Sequence, residues 1–285
     1  MSDRPKVALV LASGGAKGFA HIGAIEALEE AGYEITSVAG ASMGSLVGGI
    51  YAAGGLDKVK AWMFELTNRD VFHLADFTLS PNAFLKGDRV MEALKDIVPD
   101  CLIEDLPIPY CAVATDLKTG SEVVFSSGSL YDAIRASISI PMVFSPVEHG
   151  DMLLIDGAMS NGLPLDRVAR TEGDVLVAVN LDNYKWDDED NCQQEVSIVP
   201  SPLRTLSRKI QAGFDALSNN YISLTYDTLL VLMKRNTEMA LRLTPPDIYL
   251  NVSLGDYGFY DYDEAESIAR LGREQMKGVL VGDNL

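Results

Sequence analysis

Two corners of the sequence set small residues around groups suited to acyl chemistry. The first is Gly40-Ala41-Ser42-Met43-Gly44, a single hydroxyl with a glycine two residues to either side. An apolar run, residues 35–41, precedes it and a run of small residues, 42–53, follows, so Ser42 falls where a strand turns sharply into a helix. The pattern G-x-S-x-G lifts a serine hydroxyl clear of a sheet, and Gly40 and Gly44 leave room for the turn and for an approaching ester. The N–H of Met43 then points to where the negative oxygen of a tetrahedral intermediate would form. The alternative is a glycine-rich turn whose serine only caps a helix.

The second corner is ASGGAKGFAHIG, residues 12–23. It also joins an apolar run to a helical pattern. Gly14, Gly15 and Gly18, with Ala16 and Lys17 between them, let successive backbone N–H groups point inward at the start of a helix. That is a site for an anion. A phosphate fits poorly: Lys17 is followed by Gly18 rather than Ser or Thr, and the G-x-G-x-x-G dinucleotide pattern is absent. An oxyanion beside Ser42 accounts for both corners if the first two strands are neighbours.

Serine needs a base to attack at neutral pH. Of the three histidines, His21 reads as a helix-packing side chain and His73 has no evident partner, whereas His149 lies in a polar turn, EHGD, between two strands. The competing group is Asp156, delivered to the end of an apolar run in LLIDGAMSNGLP, where Gly157 and Ala158 allow close approach. Carboxyl ends of parallel strands are where α/β sites gather. At this level Asp156 as base, His149 in a Ser–His–Asp triad, and a plain Asp-Gly turn all stand.

These residues have to be positioned by a chain of 285 residues that is 47% hydrophobic and 22% charged, enough for a packed core. Apolar runs and helical periodicity alternate from residue 7 to residue 53, which predicts a parallel sheet. Residues 110–115 and 122–125 read as a hairpin. Residues 130–139 read as a short helix, 152–155 and 174–181 as strands, 248–252 as a late strand and 261–279 as a terminal helix. Leu206, Ile210, Phe214, Leu217, Tyr221 and Leu224 mark a long amphipathic helix over 203–241, expected to pack on the sheet. With no repeat and no long linker, one domain over 1–285 is expected. The net charge of −18 argues against nucleic acid and against simple electrostatic docking on anionic lipid. Cys101, Cys111 and Cys192 form no C-x-x-C, so reduced thiols are expected. Neither a leader nor a membrane span is legible, and a cytoplasmic protein without metal or cofactor is expected. Oligomeric state is not encoded in any pattern.

Taken together, LVLASGGAKGFAHIG, VAGASMGSLVGGIYAAG and IDGAMSNGLP resemble the patatin-like phospholipases, especially their small bacterial members. NAFLKGDRVMEALKD, CAVATDLKTGSEVVFSSG, AIRASISIPMVFSPV and VLVAVNLD also look like that family and fall in its order, with core motifs over 7–182. The resemblance implies a three-layer α/β/α fold with a mainly parallel sheet. It implies a Ser–Asp dyad, with Ser42 as nucleophile and Asp156 as base, and an oxyanion hole from Gly14, Gly15, Ala16, Lys17, Gly18 and Met43. The implied substrate is a lipid or other carboxylic ester, with transient contact at a membrane surface allowed. Two positions depart from the family: Ser13, where many members carry glycine, and Gly162, where members often carry asparagine, leaving Asn161 to brace the turn. The remaining rivals are a triad esterase using His149 and a non-catalytic acyl-lipid-binding module with an inert serine.

Overall fold

The computed structural model describes residues 4–66, 70, 74, 83–181, 222–255, 257 and 261–282. Strand β1 (Lys6–Leu11) runs at the centre of a sheet between β2 (Glu34–Ala41) and β9 (Val175–Asn180), parallel to both. Its alternation sorts the core into two layers. Val7, Leu9 and Leu11 join one buried cluster, whereas Ala8, Val10 and Ala12 join another on the opposite face. The first is covered by α1 (Ala20–Glu30), α2 (Met43–Ala52) and, further along the chain, α8 (Ala265–Gly282). The second is covered by Leu163, Leu165 and Val168 and by Ala240 and Leu241 of α7 (Ile222–Leu243). The architecture is therefore a three-layer α/β/α sandwich.

Five strands are parallel, in the order β10 (Ile248–Asn251), β9, β1, β2, β4 (Tyr110–Asp116). At β4 the pattern changes. Its outer edge takes β5 (Glu122–Phe125) antiparallel, forming the expected hairpin. Its inner edge is shared. β2 pairs with it from Val38↔Tyr110 to Ala41↔Val113, and β8 (Met152–Asp156) pairs with it from Ala114↔Asp156 to Asp116↔Leu154. Ala114 also faces Val123 of β5, so β8 must lie on the edge that β2 has just vacated. β2 is parallel to β4 and β8 antiparallel, so the two meet carboxyl end to carboxyl end on consecutive rungs. The parallel placement expected for the strand bearing Asp156 is thus corrected.

The segment 57–100 contributes α3 (Leu56–Glu65), a short strand β3 (Ala83–Leu85) and α4 (Asp88–Ile97). α5 (Leu130–Ser137) leads into β6 (Met142–Phe144), which pairs parallel with β3 outside the main sheet, a pair not foreseen. β7 (Val147–His149) then pairs with β8, and α6 (Ala158–Asn161) follows it. The first part of the expected helix over 203–241, residues 203–221, lies outside the described residues. The part that is described ends at Leu243, and Leu224, expected on its packed face, is exposed. No helix among the described residues is long and apolar enough to cross a membrane.

α1 and α8 approach unusually closely. A methyl group at Gly272 of α8 would overlap the backbone carbonyl of Ala20 at the start of α1. Alanine normally favours a helix over glycine by about 1 kcal/mol. Here the obstacle is backbone and cannot swing aside, so overpacking wins. Gly272→Ala is expected to cost about 1–3 kcal/mol net, seen as a lowered thermal midpoint in circular dichroism.

Candidate active site

The end-to-end meeting of β2 and β8 sets the site. Ser42 follows the last residue of β2, and Asp156 is the last residue of β8. The Ser42 hydroxyl donates to Asp156 Oδ2 at 2.6 Å, and Asp156 Oδ1 accepts from the N–H of Ala158 at 2.8 Å. Asp156 is fully buried and Ser42 is 7% exposed. Burial dominates the carboxyl group's behaviour. It pushes the pKa of Asp156 up to about 7, against the opposing pull of the two hydrogen bonds from Ser42 and Ala158.

Ser42 takes φ 52°, ψ −126°, and is the one non-glycine residue with positive φ among those described. Such a backbone costs about 1–3 kcal/mol and survives only where its surroundings hold it. Its carbonyl accepts from the N–H groups of Ser45 and Leu46 and from the Ser45 hydroxyl at 2.6 Å. Its own N–H donates to the hydroxyl oxygen of Ser137 at 2.9 Å. The need for glycine at the flanks is steric: a side chain at Gly40 would run into the backbone of Gly44, and one at Gly44 into the carbonyls of Leu11 and Ala12.

Ser137, at the end of α5, was not singled out from the sequence. Its buried hydroxyl accepts from Ser42 and donates to the Val113 carbonyl at 2.6 Å, while its carbonyl accepts from the N–H of Gly157 at 3.2 Å. Two residues on, the Ser139 carbonyl accepts from the N–H of Asp156 at 2.9 Å. One short segment therefore grips both halves of the pair. The only trace in the sequence is a serine on either side of Ile138 where a helix stops before Pro141, a signal too generic to read alone.

The glycine loop lies beside the corner. Residues Gly15–Phe19 form a 3₁₀ turn leading into α1, entered through Gly15 at φ 57°. Gly18 abuts Met43 so closely that a side chain there would overlap it. The loop's first N–H groups and that of Met43 thus belong to two adjoining helix starts, whose leading donors lack partners within the helix. Lys17 is half-buried. The two departures from the family pattern prove to be neighbours: Ser13 donates its N–H to the Gly162 carbonyl at 3.0 Å, and a Cβ at Gly162 would lie 3.4 Å from the Ser13 hydroxyl. Ser13 thus occupies space beside the position that has lost its side chain. Contrary to expectation, the Asn161 side chain does not brace the turn but reaches out to Glu122 and Asp166. Its backbone N–H closes the turn on Gly157.

The histidines fall elsewhere. His149 is exposed, faces Met152 across the β7–β8 ladder and meets Phe125 edge-on. Met152 is four residues before Asp156, ~13 Å along an extended strand. His21 donates to a backbone carbonyl, and His73 lies outside the described residues. No group of three or more metal-ligating side chains occurs among the described residues. Cys101 and Cys111 are free thiols, and Cys192 lies outside the described residues.

Residues 9–169, which carry the loop, Ser42 and Asp156, match the family model described as patatin-like phospholipase. The chain belongs to that family. An uncharacterized NTE family protein of Mycobacterium tuberculosis is 48% identical over 214 residues, covering 75% of this chain and 59% of its own length. The neuropathy target esterase sws of Drosophila melanogaster is 29% identical over 198 residues, covering 67% of this chain and 14% of its own. Among solved structures, that of VipD from Legionella pneumophila overlaps with a TM-score of 0.49 at 13% identity, covering 98% of this chain and 67% of that one. This patatin-like chain spans less than two thirds of the length of either curated relative.

Two outcomes follow from the geometry. Ser137→Ala leaves the buried Ser42 N–H without its acceptor. It is expected to cost about 1–3 kcal/mol of stability and to lower kcat on an ester up to ~10²-fold with little change in KM. Melting and steady-state kinetics on one preparation check both. The second concerns Asp156. Unfolded, it ionises near 3.9, whereas folded it holds its proton to about 7. Between those values the unfolded chain releases a proton that the native state keeps, so stability falls as pH rises through the window. Asp156→Asn removes that penalty. The variant is expected to melt with wild type near pH 4 and above it at pH 8, as read by thermal scans across pH.

Proposed function

We propose that this protein is a serine acyl hydrolase that cleaves lipid or other carboxylic esters through a Ser42–Asp156 dyad. The observation that carries the proposal is the 2.6 Å hydrogen bond from a strained serine to a fully buried carboxylate with no histidine between them. An aspartate at its ordinary pKa is a feeble base, but one raised to about 7 is half ionised near neutrality and matched to the task. Family membership supports ester hydrolysis, and a relative named as an esterase supports the same class.

In the proposed reaction the Ser42 oxygen attacks the ester carbonyl carbon as its proton passes to Asp156 Oδ2. The carbonyl oxygen becomes an oxyanion held by N–H groups of Gly14–Gly18 and of Met43. Collapse breaks the bond to the alcohol, which leaves with the proton from Asp156, and Ser42 keeps the acyl group. Water then attacks that ester, gives its proton to Asp156, and frees the acid as Ser42 regains its hydrogen. The oxyanion donors carry much of the load, since losing one typically costs about 10²–10³ in rate. In this proposal residues 1–285 form one hydrolase domain in a reducing, cytoplasmic setting, with which free thiols at Cys101 and Cys111 agree.

Ser42→Ala is expected to abolish hydrolysis of p-nitrophenyl esters, and an organophosphonate should label Ser42 in the wild type. Asp156→Asn should be nearly as inactive and His149→Ala close to wild type. Because the ionised carboxylate is the active form, kcat/KM should rise with pH through a midpoint near 7. A folded, active Ser42→Ala would overturn the proposal. An inactive His149→Ala beside an active Asp156→Asn would favour the triad, and a wild type that neither hydrolyses nor labels would favour the acyl-binding module.

A further inference from the structure

A buried histidine that takes no part in this chemistry lies within the curve of the glycine loop. His21, in the first turn of α1, has no solvent exposure. Its Nε2 is 2.8 Å from the Ala12 carbonyl oxygen. A carbonyl only accepts, so Nε2 carries the proton and Nδ1 is a bare lone pair, without a hydrogen-bond partner among the described residues. Burial lowers the ring's pKa to about 4, so it stays neutral and the proton stays on Nε2 over the range in which an esterase would work.

The place of Ala12 gives this bond its meaning. Its N–H donates to Val179 at 3.0 Å, the last rung between the first strand and β9, and the N–H of Ser13 then turns away to Gly162. The Ala12 carbonyl is where the chain leaves the sheet for the loop. The same carbonyl presses on the start of α2, since a side chain at Gly44 would overlap it. The same edge of the ring faces the loop's far end: a Cβ built at Gly18 would lie 3.7 Å from His21 Cδ2, the carbon bonded to Nε2. The imidazole is therefore hydrogen-bonded to residue 12 at the entry of the loop and lies beside residue 18 at its exit, and residue 12 in turn bears on the serine corner.

We infer that His21 is a positioning residue of the oxyanion site: by fixing the Ala12 carbonyl through Nε2–H, it sets the spacing between the loop's N–H groups and Ser42. This rests on the proposed role of the Gly14–Gly18 loop in ester hydrolysis. Histidine suits the position because it offers a neutral donor of fixed direction. A lysine would bring a buried charge, and an aliphatic side chain would leave the carbonyl unpaired. With the ring fully buried and Nδ1 facing no hydrogen-bond partner among the described residues, it is not placed to act as a general base.

The test compares three variants with wild type. His21→Leu removes the donor, His21→Gln returns an amide nitrogen near the position of Nε2, and His21→Asn returns one near that of Nδ1. With a soluble p-nitrophenyl ester, His21→Leu is expected to lose ~10²-fold or more in kcat, the scale of a lost oxyanion donor. KM should stay within about threefold of wild type, the pattern of an interaction made mainly in the transition state. His21→Gln should recover most of the loss and His21→Asn should not. A trifluoromethyl ketone, which forms a hemiketal oxyanion on serine, should lose affinity in each variant by the same factor as kcat/KM. A merely structural histidine would not produce that parallel.

A folded His21→Leu with near-wild-type kcat overturns the inference, as does a loss of kcat with unchanged ketone affinity. If His21→Leu does not fold, the Gln and Asn variants decide, and equal activity in the two overturns it. A readout apart from catalysis is the ¹⁵N spectrum of the His21 ring, expected to show a neutral ring protonated at Nε2 at pH 6. A ring protonated at Nδ1 or doubly protonated there overturns the inference. If wild type fails to label at Ser42, the hydrolase proposal falls instead, whatever His21 does.

Discussion

One edge of one strand carries the site. β4 offers its inner edge first to β2, from Tyr110 to Val113, and then to β8, from Ala114 onward. Because those two strands run in opposite directions, their carboxyl ends converge. A parallel β8 would carry Asp156 away from Ser42. A register slip of one rung would move the carboxylate by about 3.3 Å, beyond hydrogen-bond reach. The contact between serine and acid is thus a product of sheet pairing rather than of loop conformation. The segment after α5 reinforces it by holding the backbone of both partners.

Placement at that junction also fixes the electrostatics. The carboxylate sits where strands abut, and the apolar strands that bring it there keep water out. Two hydrogen bonds favour its ionised form, yet desolvation outweighs them. A raised carboxyl pKa opposes stability as pH rises toward neutrality, and the strained backbone of Ser42 adds a cost of its own. Both are reservoirs of the kind expected where function opposes stability.

How much of this was legible depended on the range of each signal. The corner at Ser42 and the loop were legible as glycine-rich turns, because close backbone approach can be met by few other residues, whereas Asp156 stood out from a plain Asp-Gly turn only through the family resemblance. The central strands and helices followed from hydrophobic periodicity. Direction did not: an apolar run such as Met152–Ile155 reads alike in parallel and antiparallel pairing, and only its partner on β4 decides. The three-residue strands β3 and β6 are too short to show a period. Ser137 has no signature of its own, since what it does is defined by Ser42, Val113 and Gly157, all distant in sequence. His21 was read as packing because the residue it holds lies back across the turn. The two departures at Ser13 and Gly162 gain sense only once they are side by side.

The close packing of α8 on α1 carries a consequence for the order in which the site is assembled. α8 touches both α1 and the Gly15–Phe19 turn, and it is the last helix described along the chain. Every strand that presents Ser42 or Asp156 leaves the ribosome before it does. A nascent chain can thus bring the serine and the carboxylate together while the loop that would steady the oxyanion still lacks its backing. On the proposed chemistry, a lipid-cleaving centre made in this order stays silent during translation, and it is armed by the arrival of a helix that contributes no reacting atom.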